Sequence, residues 1–166
     1  MAFRNLDASV ARLAARLEDD HSGRRIALVT HSFGDWVARR AIASATQHRV
    51  AALVSITPVL RTGIVPYLIH GLTGNLISEI EVINDPMRAS ADASVDKKIK
   101  RLVLWAQLDA YVRPLDIDGD DTIAVHHFLS THLSIILQPN SLRLITRFLF
   151  PTPATTCGLG ETHARE

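Results

Sequence analysis

Three observations predict an α/β domain built on a parallel sheet: short apolar runs without polar alternation, amphipathic helical stripes between them, and polar or turn residues closing each run. A strand covered by helices on both faces is apolar on both faces, so alternation is lost. The runs "RIALVT" at 25–30, "RVAALVSIT" at 49–57 and "KRLVLWAQ" at 100–107 read this way. Strands alternating with helical segments make a parallel sheet flanked by helices.

The chain opens with a helix in which Leu6, Val10, Leu13, Ala14 and Leu17 recur at helical spacing, and Gly23 stops it. After the first strand, "GDWVARRAIASA" reads as a helix with Trp36, Val37, Ala41 and Ile42 inward. Between the second and third strands, Pro58 to Asp96 is a longer connection. Its residues Leu60, Ile64, Val65, Leu68, Ile69, Leu72, Ile77, Ile80 and Val82 predict one or two helices interrupted by Gly71, Gly74 and Pro86. "DTIAVHHF" is a fourth strand, more amphipathic and therefore nearer an edge. "PNSLRLITRFLF" closes the fold as a helix with Leu142, Ile145, Phe148 and Leu149 on one side. Residues 1–150 thus form one domain, and the Pro/Thr/Gly-rich stretch 151–166 reads as a flexible tail.

At 166 residues, 47% hydrophobic and 21% charged, the chain can bury one core. A net charge of +1 offers no footprint for nucleic acid, and Lys97, Lys98, Lys100 and Arg101 read as a solvated lead-in to the third strand. The single cysteine, Cys157, excludes an intrachain disulfide and a cysteine zinc site, and its setting suits an inert thiol better than a nucleophile. No run is apolar enough to span a bilayer, and the N-terminus lacks the apolar core of a signal peptide, so a cytoplasmic location is expected.

One stretch carries chemistry. In Thr30-His31-Ser32-Phe33-Gly34 a strand meets a helix across a serine flanked by small residues, with Gly34 permitting a tight turn. Such a sharp turn lifts a hydroxyl above the carboxyl edge of a sheet, where the following amide faces a developing oxyanion. Thr30 stands where glycine is commoner, and Asp35 where a second glycine often sits. A competing reading makes Ser32 a plain N-cap. A nucleophilic serine needs a base to take its proton and an acid to orient that base. Asp109, just past the third strand, and His132, after the fourth, supply them; taken alone, Asp109 is more often a turn cap and His132 more often a surface histidine than a catalytic group. His126 and His127 compete as the base but lie within the fourth strand. Asp116, Asp118, Asp120 and Asp121 compete as the acid, yet "DIDGDD" reads as a solvated loop and lacks the spacing of a calcium loop.

The order Ser32, Asp109, His132 is the nucleophile, acid and base order of the α/β-hydrolases. "VTHSFGDWVARRA" resembles the nucleophile elbow of that family, "LDAYVRP" its acid loop, and "THLSIILQPNSLRLITRFL" its histidine loop and final helix. The resemblance, running to about Phe150, implies a serine esterase or lipase-like protein. It would act on a small-molecule carboxylic ester or thioester with no metal or organic cofactor. Ser32, His132 and Asp109 would form the triad, and the Phe33 amide would serve the oxyanion.

The resemblance also exposes a gap. Complete members carry further strands before the helix with which this chain begins, so the sheet is a truncated α/β-hydrolase-like one. The second oxyanion amide, which the family takes from a loop after its third strand, has no counterpart. Losing one such donor costs ~10²–10³ in rate. Strand 25–30 becomes an exposed edge, prone to pairing. Three accounts follow: a compact hydrolase with a rearranged oxyanion site, a homodimer or partner covering that edge, or a fragment of a longer reading frame. The alternative to an active esterase is an inactive relative serving as a binding module.

Overall fold

In a computed structural model, the described residues are 6–19, 22–61, 82, 85–91, 95–114 and 123–151. Helix α1, Leu6–Glu18, leads to β1, Ile26–His31, helix α2, Phe33–Ser44, and β2, Val50–Ile56. A short helix α3, Pro86–Ala89, precedes β3, Lys100–Ala106. Then come β4, Ile123–Phe128, a 3₁₀ turn at Ser134–Leu137, and α4, Pro139–Leu149. The four strands form one parallel sheet in the order β1-β2-β3-β4. Every strand therefore delivers its following loop to the same edge, the edge at which open α/β sheets bind ligands.

The period of two along each strand turns side chains to the two faces of the sheet. On one face Leu53 and Val50 pack under α1 and α2 against Ala14, Leu17, Ala38, Ala41 and Ile42. On the other, Val54, Ile56, Leu102, Leu104 and Ala106 pack against Ile135 and Ile145 beneath α4. A further cluster of Val103, Trp105, Val59, Leu60, Ala89 and Val112 lies toward the strand ends. Glu18 ties the end of α1 to the loop after α2, its Oε1 accepting from Thr46 N at 2.6 Å and Thr46 Oγ1 at 2.9 Å.

The expected strands and long helices are present, but several positions differ. β1, read as covered on both faces, stands at an edge of the sheet with Ala27 and Val29 exposed, because α1 and α2 cover only the face that carries Ile26 and Leu28. On α2, Val37 is half-buried and Ala38 is buried in its place. The break expected at Pro86 is present: Pro86 starts α3, at the N1 position where its missing N–H costs nothing, and Asp85 caps it; Gly71 and Gly74 lie outside the described residues. The inward stripe of α4 is the buried Ser141 and Ile145 with the half-buried Leu144, Phe148 and Leu149, while Leu142 is 51% exposed, because the stripe runs through 141, 145 and 148 and leaves 142 to one side. Gly34 needs no special backbone freedom: its φ is not positive, and a Cβ there would meet nothing within 4 Å. Lys97, Lys98 and Lys100 are exposed as expected, but Arg101 is 1% exposed.

Arg101 is buried because period two turns it, with Val103 and Trp105, toward α2. There Asp35 Oδ1 lies 3.5 Å from Arg101 Nη2, and Asp35 Oδ2 accepts from Arg39 Nε at 2.8 Å. Arg39 donates further to Val59 O and Ala89 O, each at 3.0 Å, and to Ala91 O. Trp36 Nε1 donates to Arg88 O at 2.8 Å. One helix thus fastens the chain on both sides of residues 62–81, which lie outside the described residues, as do Ile64, Val65, Leu68, Ile69, Leu72, Ile77 and Ile80. Leu60 and Val82 belong to the core. The loop 115–122 and residues 152–166, including Cys157, also lie outside the described residues. No described helix is long and apolar enough to cross a membrane.

Candidate active site

Ser32 sits between β1 and α2 with φ 54° and ψ −125°, and its side chain makes no capping hydrogen bond. Positive φ is rare for a residue with a Cβ and persists only where the surroundings enforce it. Enforcement comes from both sides: Ser32 N donates to Ile56 O at 2.9 Å, and Thr30 Oγ1 donates to Val54 O at 3.0 Å. Thr30 replaces the commoner glycine by bonding the neighbouring strand. The capping reading of Ser32 therefore fails on geometry. Phe33 begins α2, so its N–H is a first-turn donor without an intrahelical acceptor, at the positive end of the helix. The Phe33 ring stacks on Trp36 at 5.2 Å.

Backbone hydrogen bonds continue past the strand ends and set the loops side by side. Thr57 N donates to Leu104 O at 2.7 Å, Gln107 N to Phe128 O at 2.9 Å, and Leu108 N to Ser130 O at 3.0 Å. The last two hold the loop carrying Asp109 against the loop carrying His132. Asp109 uses both carboxylate oxygens. Its Oδ1 accepts from Tyr111 N at 2.7 Å and Val112 N at 3.1 Å, closing a turn, while Oδ2 lies 2.6 Å from His132 Nδ1. The side chains are 2% and 10% exposed, so water competes little for this pair. Turn cap and histidine partner, alternatives on the sequence, are one arrangement.

His132 lies between β4 and the 3₁₀ turn, in a corner fixed by Thr131 N donating to Ser134 Oγ at 2.9 Å and Ser134 N to Thr131 Oγ1 at 3.3 Å. Two rings pack on it: Tyr111 with centroids 5.1 Å apart and His31 with centroids 4.8 Å apart. The His31 contact joins β1 to this corner, since His31 immediately precedes Ser32. Burial pushes the His31 imidazole below the usual histidine pKa, reinforced by His132 and opposed by its hydrogen bond to His132 O and by Asp109. The structure thus brings Asp109 and His132 into contact and carries Ser32 to the same sheet edge. Among the described residues, no hydrogen bond joins Ser32 to His132. His126 and His127 are exposed on the edge strand β4, and Asp116, Asp118, Asp120 and Asp121 lie outside the described residues.

Two features escaped sequence reasoning. The Asp35–Arg39 pair was signalled by its i, i+4 spacing, but nothing local placed Arg101 against it. His31 carried no signal beyond its place before Ser32.

The sequence matches no protein-family model and no curated protein. Among solved structures, the chain is similar to the esterase Pf2001 of Pyrococcus furiosus, seen in three crystal forms. In one form the TM-score is 0.59 at 14% identity, over 84% of this chain and 60% of the esterase. In another it is 0.62 at 15% identity, over 90% of this chain and 64% of the esterase. With its four parallel strands and flanking helices, the chain has an α/β-hydrolase-like fold. It spans less than two thirds of the esterase it resembles.

Proposed function

We propose that this chain is a serine hydrolase that cleaves a small-molecule carboxylic ester or thioester. The observation that carries the reading is the buried Asp109–His132 pair at 2.6 Å, set on the sheet edge that also bears the strained Ser32 turn. With Nδ1–H donating to Asp109, Nε2 of His132 is left as the acceptor. Nε2 takes the proton of Ser32 as Oγ bonds to the substrate carbonyl carbon, and the carbonyl π pair moves onto oxygen. The Phe33 amide and the start of α2 stabilise that oxyanion. Collapse breaks the bond to the leaving group, which takes the proton back from His132. Water then repeats the sequence on the acyl-enzyme and frees Ser32. Asp109 stays ionised, fixing the tautomer and stabilising the imidazolium.

The test is hydrolysis of p-nitrophenyl acetate and butyrate by the purified protein, with Ser32→Ala as the blank. Labelling with a fluorophosphonate probe runs alongside. The reading expects turnover well above the blank, and labelling that disappears in Ser32→Ala and His132→Ala. Turnover equal to the blank in a folded, monodisperse sample overturns it in favour of a non-catalytic binding module.

A further inference from the structure

His31 takes no part in the reaction just described, yet it touches two of its participants. It is bonded to Ser32, and its Nε2 lies 3.0 Å from the carbonyl oxygen of His132. A carbonyl only accepts, so Nε2 carries the proton. The rings of His31 and His132 stand 4.8 Å apart at 52°. The residue before the serine therefore grips the backbone of the residue whose imidazole must meet that serine.

We propose that His31 is a positioning residue: its Nε2–H, bonded to the His132 carbonyl, locks the His132 corner to the Ser32 turn. The role assigned to this lock rests on the esterase reading. The coupling of the two loops rests on the geometry alone.

Without His31, the described hydrogen bonds that fix His132 come from Asp109, from neighbouring strand ends and from its own corner, and none comes from β1. Ser32 follows β1, so the relative placement of base and nucleophile would depend on the sheet alone. Displacements of about 1 Å between reacting groups cost on the order of a hundredfold in rate. Neutrality suits the role, because a cation here would oppose the imidazolium that His132 must form. Among the described residues the ionisable groups facing His31 are His132 and Asp109, with Tyr111 packed on His132, and burial favours the neutral form of His31.

Three variants test the inference. His31→Gln places an amide N–H near the position of Nε2, His31→Leu removes the donor, and His31→Asn keeps polarity but falls short of the carbonyl. Steady-state ester hydrolysis is read together with the downfield proton resonance of the His132 Nδ1–H, assigned by its loss in His132→Ala. His31→Leu is expected to lower kcat about tenfold with KM within about twofold, and to broaden the resonance beyond detection. His31→Gln is expected to recover most of kcat and to keep the resonance. Should His31→Leu fail to fold, His31→Asn takes its place with the same expected losses. The inference is overturned if the donor-free variant keeps both kcat and the resonance, or if His31→Gln is impaired as much as His31→Leu. A wild-type protein without turnover whose resonance still follows this pattern would sink the esterase reading and uphold the coupling.

Discussion

Asp35→Asn isolates the buried charge cluster behind the Ser32 turn. The substitution keeps shape and volume but removes the anion that Arg39 and Arg101 share, both essentially without solvent contact. At an effective dielectric of about 20, unit charges 3.5 Å apart attract by ~5 kcal/mol. Desolvation of the ions offsets much of this, and removal of one partner of a buried pair typically costs about 3–5 kcal/mol. Arg39 keeps the carbonyls of Val59, Ala89 and Ala91 as acceptors, so the lower end, ~3 kcal/mol, is expected here. Since domains are stable by only about 5–15 kcal/mol, this is a large fraction of the total. Equilibrium urea unfolding reads it as a midpoint about 1–3 M lower at unchanged slope. Adding Arg101→Met removes a buried cation whose neighbouring anion is gone, although Arg101 Nε also donates to Ser55 Oγ at 3.4 Å, so the double variant should recover about 1 kcal/mol relative to Asp35→Asn. A midpoint lowered by less than about 0.3 M, or a double variant weaker than the single, would refute the argument that the pair is a coupled buried unit.

Asp109→Asn should cut kcat on the order of 10³–10⁴-fold by favouring the wrong His132 tautomer, with folding checked by circular dichroism; a loss under tenfold would remove Asp109 from the triad. Gly34→Ala should raise the melting temperature by about 1–3 °C, because alanine is the better helix former and its Cβ meets no neighbour; a fall would show that something other than α2 needs this glycine. His31 is held below its unfolded pKa of about 6.5, so below that pH the unfolded chain binds the proton first. Stability is then full above about 6.5 and falls as the pH drops toward the lower folded value, where the effect levels off. The urea midpoint should therefore be lower near pH 5 than near pH 7.5, and His31→Gln should shrink that difference. An unchanged difference would place the acid sensitivity elsewhere.

Much of the fold was readable because its signals are local. The apolar runs at β2 and β3 have no alternation, and a strand buried on both faces has no choice about that; β1 reads the same way, yet it stands at the sheet edge with Ala27 and Val29 exposed. The amphipathic β4 reads as an edge and is one. The misread positions depend on partners distant in sequence. Arg101 looks like the last of a basic cluster, and only the register of β3 against β2, which sets Leu53 opposite Arg101, carries it beneath α2. Leu142 looks like part of an apolar face, but the angle at which α4 meets the sheet decides which of two overlapping stripes is buried, and that angle is absent from the periodicity. The candidate site divides likewise. Ser32, Asp109 and His132 could be proposed from strand ends and order, whereas the grip of His31 on His132 spans residues one hundred and one apart in sequence.

The geometry also explains why one carboxylate at position 109 suits a demanding role on a loop. A free aspartate on a turn rotates about two bonds and would present either oxygen to His132 in several orientations. Here Oδ1 is pinned by the amides of Tyr111 and Val112, which leaves Oδ2 with a single direction, the one in which His132 Nδ1 lies. The rotamer entropy is therefore lost when the turn forms, during folding, and not during each catalytic cycle. The same turn sets the Tyr111 ring against the imidazole, so the residue that pins the acid also walls the base. A local turn signal in the sequence and a long-range ion pair in the fold are thus one device, and removing the Asp109 carboxylate breaks both together.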